Sequence, residues 1–167
     1  MQKKWRKYIL ILHHGTYINF DKIDLSKSNK GKDFGKGFYL SEDYDQAFKL
    51  ATFKAVQFGT EPIVISYKFD QNLLSDGSMD FISFDTYSKE WADFILQNRL
   101  NENNDNIHKY DVIYGPIAND KIGVQIRNLL ENNIDLEIFQ ERLKFIKGIT
   151  FQYFFGTEKA ISNLIRI

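Results

Sequence analysis

The chain has 167 residues, 43% apolar and 26% charged, with 22 basic residues balanced by 22 acidic ones and a pI near 6.8. That length and apolar fraction fit one globular domain over residues 1–167, and the charge balance argues against a protein that binds nucleic acid or anionic lipid through its overall field. The absence of cysteine excludes a disulfide scaffold, a thiolate zinc site and a cysteine nucleophile.

In chain order, the first apolar run is Tyr8, Ile9, Leu10, Ile11, Leu12, preceded by Lys3, Lys4, Arg6 and Lys7. It is too short for the core of a secretion signal and no small-residue cleavage site follows. It reads as a buried strand that stops at His13-His14-Gly15-Thr16, where glycine permits a turn. Asp21 to Lys36 is polar and lysine-rich (Lys22, Lys27, Lys30, Lys32, Lys36) and reads as a surface loop. Gly35-Lys36-Gly37 leads into the aromatic strand Phe38-Tyr39-Leu40. Ser41-Glu42-Asp43 then supplies the cap and acidic first turn of a helix. Ala47, Leu50, Ala51, Ala55 and Phe58 share its inner face, and Gly59 stands at its C-terminal cap.

Pro62 opens a strand in which Ile63, Ile65, Tyr67 and Phe69 alternate with Val64, Ser66 and Lys68. Thr86 is placed to cap a second helix with Tyr87, Trp91, Phe94 and Ile95 on one face, running to about Leu100, and a polar loop follows to His108. Asp111 to Tyr114 reads as a strand ended by Gly115-Pro116. Asn119 or Asp120 caps a helix carrying Ile122, Ile126, Leu129 and Leu130. A further helix runs from about Asp135 to Lys147, with Phe139, Leu143 and Ile146 inward and Gly148 as its stop. Thr150 to Phe155 is an aromatic strand, and Thr157 caps a last short helix with Ala160, Ile161 and Leu164 inward. Strands and helices mix without regular alternation or repeat, which gives an α+β fold rather than a doubly wound sheet.

The chain has no phosphate-binding glycine loop, no GxSxG turn, no HExxH helix and no CxxC pair. His13, His14 and His108 have no zinc-site spacing. Three short segments remain: Leu12-His13-His14-Gly15-Thr16, Gly35-Lys36-Gly37-Phe38-Tyr39-Leu40 and Phe151-Gln152-Tyr153-Phe154. Each by itself reads as turn chemistry, core aromatics or, for Gln152, the solvated side of an edge strand.

In this order the three segments resemble the ADP-ribosyltransferase superfamily, in its histidine-tyrosine-glutamate branch of poly(ADP-ribose) polymerases and diphtheria-type toxins. The chain is similar, closer still, to a bacterial family of small domains of unknown function. That family shares His14 to Thr16, Asp33 to Leu40, Tyr110 to Asp120 and Gln152 to Ile161 with it. The resemblance implies two roughly orthogonal β-sheets with flanking helices around a cleft for NAD⁺ as co-substrate, without a metal.

It further implies site roles. Nicotinamide leaves through an oxocarbenium-like state, so the leaving group must be fixed and positive charge on the sugar supported. His14 would bond a ribose hydroxyl, and Gly15, lacking a side chain, would bring its backbone to the nicotinamide carboxamide. Tyr39 would pack on the pyridinium, with Thr16, Gly37 and Phe38 beside it and Phe48 as a second aromatic wall. Gln152 stands where that branch carries a glutamate, a departure that implies single ADP-ribose transfer or loss of catalysis. Glu158 is an alternative carboxylate whose simpler reading is a first-turn acid beside Thr157.

The implied activity is mono-ADP-ribosyl transfer to a macromolecular acceptor, most naturally protein, with catalytic His14, Tyr39 and Gln152. The alternatives are an inert NAD⁺-binding or protein-interaction module and an RNA 2′-phosphotransferase-like activity using Lys27, Lys30, Lys32 and Lys36. An antitoxin or immunity partner, a cytosolic location or delivery by a non-classical route are consistent with the resemblance, and no membrane partner is expected.

Overall fold

The computed structural model describes residues 8–144, 146 and 150–167. Gly148, the expected stop of the fourth helix, and the basic residues before Tyr8 lie outside these. Among the described residues the fold is α+β, with two sheets and five α-helices.

Period-two alternation organises the first sheet. In β3 (Ile63–Asp70), Ile65, Tyr67 and Phe69 are buried and Ser66 and Lys68 face the other way. β1 (Ile9–Thr16) pairs antiparallel with β3 along its whole length, Ile9 opposite Asp70 and Thr16 opposite Ile63. β7 (Ile165–Arg166) pairs with the other edge of β3, giving the order β1-β3-β7. The second sheet has the order β2-β6-β5-β4, from β2 (Phe38–Leu40), β6 (Thr150–Phe155), β5 (Val112–Ile117) and β4 (Phe81–Ser83). Only β4 and β5 run parallel.

Two apolar layers result from this alternation. Leu12, Phe38, Leu40, Ile65, Tyr67, Phe69, Val112, Tyr153 and Phe155 pack together between the sheets. The opposite face of the second sheet, with Ile113 and Phe154, packs against helices α2 (Lys89–Leu100), α3 (Asp120–Leu130) and α4 (Leu136–Lys144) through Trp91, Ile95, Ile122, Ile126 and Phe139. α5 (Glu158–Ile161) is capped by Thr157, whose side chain accepts the Ala160 N–H. α1 (Tyr44–Phe58) covers the outer face of β1. Asp43 caps it by accepting two N–H groups, and Gly59 ends it in the left-handed conformation, φ 63°.

Several sequence expectations change. β1 continues through His13, His14 and Gly15 to Thr16, because β3 supplies pairing partners throughout, and Ile9 and Ile11 are exposed rather than buried. Leu50 and Phe58 are also exposed, since α1 meets β1 through alanines alone, Ala47, Ala51 and Ala55. Ser88, not Thr86, caps α2. β5 runs through Gly115-Pro116; β4 ends before Pro116, so the missing proline N–H removes no ladder bond there. β6 lies between β2 and β5, so Gln152 is not on an edge strand.

The lysine-rich segment is anchored rather than merely draped. Phe34 is fully buried against the helical layer, and the buried Asp33 carboxylate takes Arg99 Nε at 2.5 Å and the Ala118 N–H at 2.6 Å. A buried carboxylate needs such partners to offset its desolvation.

Gly15 is where α1 touches β1. A Cβ there would lie 2.1 Å from the Ala47 carbonyl oxygen, a backbone atom that cannot swing aside. Gly15→Ala is therefore expected to destabilise the fold by about 2–3 kcal/mol, lowering the thermal midpoint by roughly 5–10 °C. Calorimetric unfolding at equal midpoints would contradict this packing.

Candidate functional site

A cleft of about 470 Å³ opens where β1 and β2 part company. The two strands are joined by one bridge: the His13 N–H donates to Ser41 O (2.7 Å) and the Ser41 N–H donates to His13 O (2.9 Å). On an antiparallel strand the N–H and C=O of every second residue point to the same edge. Gly15 therefore turns its backbone pair to the edge that His13 uses, away from β3. Continued pairing would set Gly15 against Tyr39, but the strands diverge, and both residues line the cleft with Leu40, Ser41, Gln46 and Gln152. The Gly15 carbonyl accepts from Lys54 Nζ of α1 at 3.2 Å and retains a second lone pair.

His14 occupies the fork. Its Nδ1–H donates to Tyr39 O at 2.8 Å, where a strand-to-strand bond would otherwise run, and this sets the tautomer, leaving Nε2 as an acceptor. The ring stacks on Phe38 at 4.2 Å and meets Phe20 edge-on at 5.9 Å. Burial pulls its pKa down to about 4; the bond to Tyr39 opposes this, and Lys54 and Lys32 add to it.

Tyr39 is fixed at its far end. Its hydroxyl donates to Gly35 O (2.8 Å) and accepts the Phe34 N–H (3.0 Å), tying the ring to the turn before β2. Phe154 meets the ring edge-on at 5.3 Å, and Lys32 Nζ stands 5.2 Å from its centroid, a cation over an aromatic face. Burial, the main cause, and the nearby Asp33 raise the phenol pKa well above its ordinary value, so it stays protonated.

Of the residues singled out from sequence, the cleft brings together Gly15, Tyr39 and Gln152. Thr16 is buried, its hydroxyl turned to the Ile18 backbone. Phe38 faces the layer between the sheets, and Gly37 packs so closely on Phe154 that a Cβ would lie 2.1 Å from the ring. Phe48 is exposed and stacks on Tyr44 at 6.4 Å, outside the cleft lining. Glu158 lies in the first turn of α5 and is not among the lining residues. Lys30 donates to Glu102 O, so of the loop lysines it is Lys32 that touches a residue of the cleft.

The cleft also contains residues that sequence reasoning passed over, His13, Ser41, Gln46 and Thr150. Ser41 Oγ donates to Gln46 Oε1 at 2.8 Å. The signal for Ser41 and Gln46 was present in their helical neighbourhood, two residues before and three residues after the Asp43 cap. Among the described residues, no group of three or more His, Asp or Glu side chains is placed to hold a metal ion, and no helix is long and apolar enough to cross a membrane.

Neutral His14 has a stability consequence. The unfolded chain takes up this proton near pH 6.5, which the native state resists until about pH 4. The contribution is complete above pH 6.5 and is lost as pH falls towards 4, by up to roughly 3 kcal/mol. Denaturant unfolding followed across that window should show the slope, and His14→Phe, which stacks but does not titrate, should flatten it; an unchanged slope in the variant would contradict the assignment.

A family model described as protein of unknown function (DUF3990) matches residues 10–165. No curated protein and no solved structure matches the chain.

Proposed function

The chain belongs to the DUF3990 family, whose description assigns no activity, and we propose one from the cleft itself: it binds NAD⁺, and the protein transfers single ADP-ribose units from it to a macromolecular acceptor, most naturally protein. NAD⁺ supplies the glycosidic bond whose cleavage releases nicotinamide and passes ADP-ribose on. The α+β arrangement of two sheets with the cleft at their junction is compatible with an ADP-ribosyltransferase-like fold.

One observation carries the reading. The fork turns the Gly15 N–H and C=O, an adjacent donor and acceptor, into the same cleft that Tyr39 and Gln152 line. A primary carboxamide presents the complementary acceptor and donor, so Gly15 is suited to orient such a group. The Tyr39 ring, its orientation fixed by the two bonds of its hydroxyl, offers an aromatic face to a cationic ring, which would take the place of the Lys32 ammonium. His14, which is not among the lining residues, supports the site from the fork by holding the Tyr39 carbonyl. Gln152 can hold a hydroxyl through its amide, without the charge a carboxylate would place against developing positive charge.

That neutral amide, with Glu158 away from the cleft, favours a second reading: an NAD⁺-binding module without turnover. Free nicotinamide separates the two, since only the enzyme releases it.

Tyr39→Ala should weaken NAD⁺ binding at least tenfold by calorimetry, whereas Tyr39→Phe, which keeps the ring and gives up the two bonds of the hydroxyl, should stay within a few-fold. Equal affinity in Tyr39→Ala would contradict the site. Gln152→Glu should raise nicotinamide release about tenfold or more if a carboxylate at that position supports the transition state.

A further inference from the structure

The segment His13-His14 places two imidazoles on opposite faces of β1, and the structure distinguishes them. His14 is spent at the fork, bonded to Tyr39 O and stacked on Phe38. His13 lies on the face covered by α1, and it is His13 that lines the cleft. Its Nδ1 is within 2.7 Å of Ser66 Oγ, directly across the β1–β3 ladder, and its ring meets Tyr44 edge-on at 5.3 Å. These two contacts fix both the position and the rotation of the ring. Ser66 meets one nitrogen, and Nε2, at the opposite corner of the ring, makes no hydrogen bond within the described residues.

We propose that His13 is a ligand-binding residue of the cleft, its Ser66-held imidazole presenting Nε2 to a hydroxyl or amide group of the bound molecule. The inference rests on the reading of this cleft as an NAD⁺ site, and it adds a contact that the motif itself, with its weight on His14, does not supply. A merely solvated histidine would have no need of a ring clamped at both its nitrogen and its edge. Burial holds the His13 pKa below 6.5, with Asp43 opposing, so the ring is neutral at pH 7. The charged groups around it are Asp43 at the cap of α1, Asp45 and Lys49 of α1, and Lys68, which follows Ser66 by two on β3. Neutral Thr150 and Gln152 face it from the second sheet.

Two conservative variants separate ligand contact from structural support. An asparagine amide reproduces the position of Nδ1 and keeps a partner for Ser66, whereas a glutamine amide reaches the position of Nε2. NAD⁺ is titrated calorimetrically into the unaltered protein, His13→Asn and His13→Gln, with thermal unfolding of each to establish that it folds. Loss of at least tenfold in affinity for His13→Asn, with His13→Gln within about threefold of the unaltered protein, is the expected result. Unaltered affinity in His13→Asn, or equal losses in both variants, overturns the assignment while leaving the NAD⁺ site standing. Failure of the unaltered protein to bind NAD⁺ overturns that reading and this contact with it.

Discussion

The bridge between His13 and Ser41 is the constraint on which the rest of this structure turns. Two short backbone hydrogen bonds join strands from different sheets at a single residue pair. Immediately beyond it, His14 inserts its ring where the next pair of bonds would form and takes the Tyr39 carbonyl for itself. An edge strand with unsatisfied groups is ordinarily a liability. Here the divergence turns the edge inward, so that the backbone of Gly15 faces a cleft instead of open solvent.

The surroundings keep that fork open. α1 lies flush on β1 because its contact face is alanine and its partner is glycine, an approach that any Cβ at Gly15 would prevent. On the other side, Tyr39 is held by a turn that is itself anchored through Phe34 in the helical layer and through Asp33, bound by Arg99 and the Ala118 N–H. The polar segment that looks like a surface loop thus works as a strut: its buried residues connect α2 and the start of α3 to the ring of Tyr39. Fixed polar groups of this kind need little reorganisation when a ligand arrives, which is what binding and transition-state support both require.

Much of this was legible in the sequence, for local reasons. Asn119 and Thr157 announce helices because a short polar side chain satisfies first-turn N–H groups wherever it occurs, and Ser41-Glu42-Asp43 marks the start of α1, although its last residue and not its first is the cap. Gly59 ends α1 through backbone conformation alone, and the alternation from Ile63 to Phe69 identifies a half-buried strand. Apart from the cap of α2, where Ser88 serves in place of Thr86, the failures are non-local. β4 and β7, three and two residues long, exist only because β5 and β3 offer them edges. β1 runs past its glycine because β3 pairs with it there. At the site, the resemblance singled out Gly15, Tyr39 and Gln152, and all three line one cleft. Which of two adjacent histidines enters the cleft depended on the pleat, and the phase of the pleat is set by the register with β3 and by Ser41, which no local pattern around His13-His14 encodes.

In the proposed NAD⁺ complex the Gly15 backbone at the fork receives the amide end of the ligand. The most direct test of this placement is the Gly15 amide resonance in a nitrogen-15 labelled sample titrated with NAD⁺ and, separately, with nicotinamide. This resonance is expected to move progressively and saturate with both ligands, together with resonances of Tyr39 and Gln152. Saturable binding of NAD⁺ with Gly15 unmoved, or no response of any cleft residue at millimolar ligand, would contradict it.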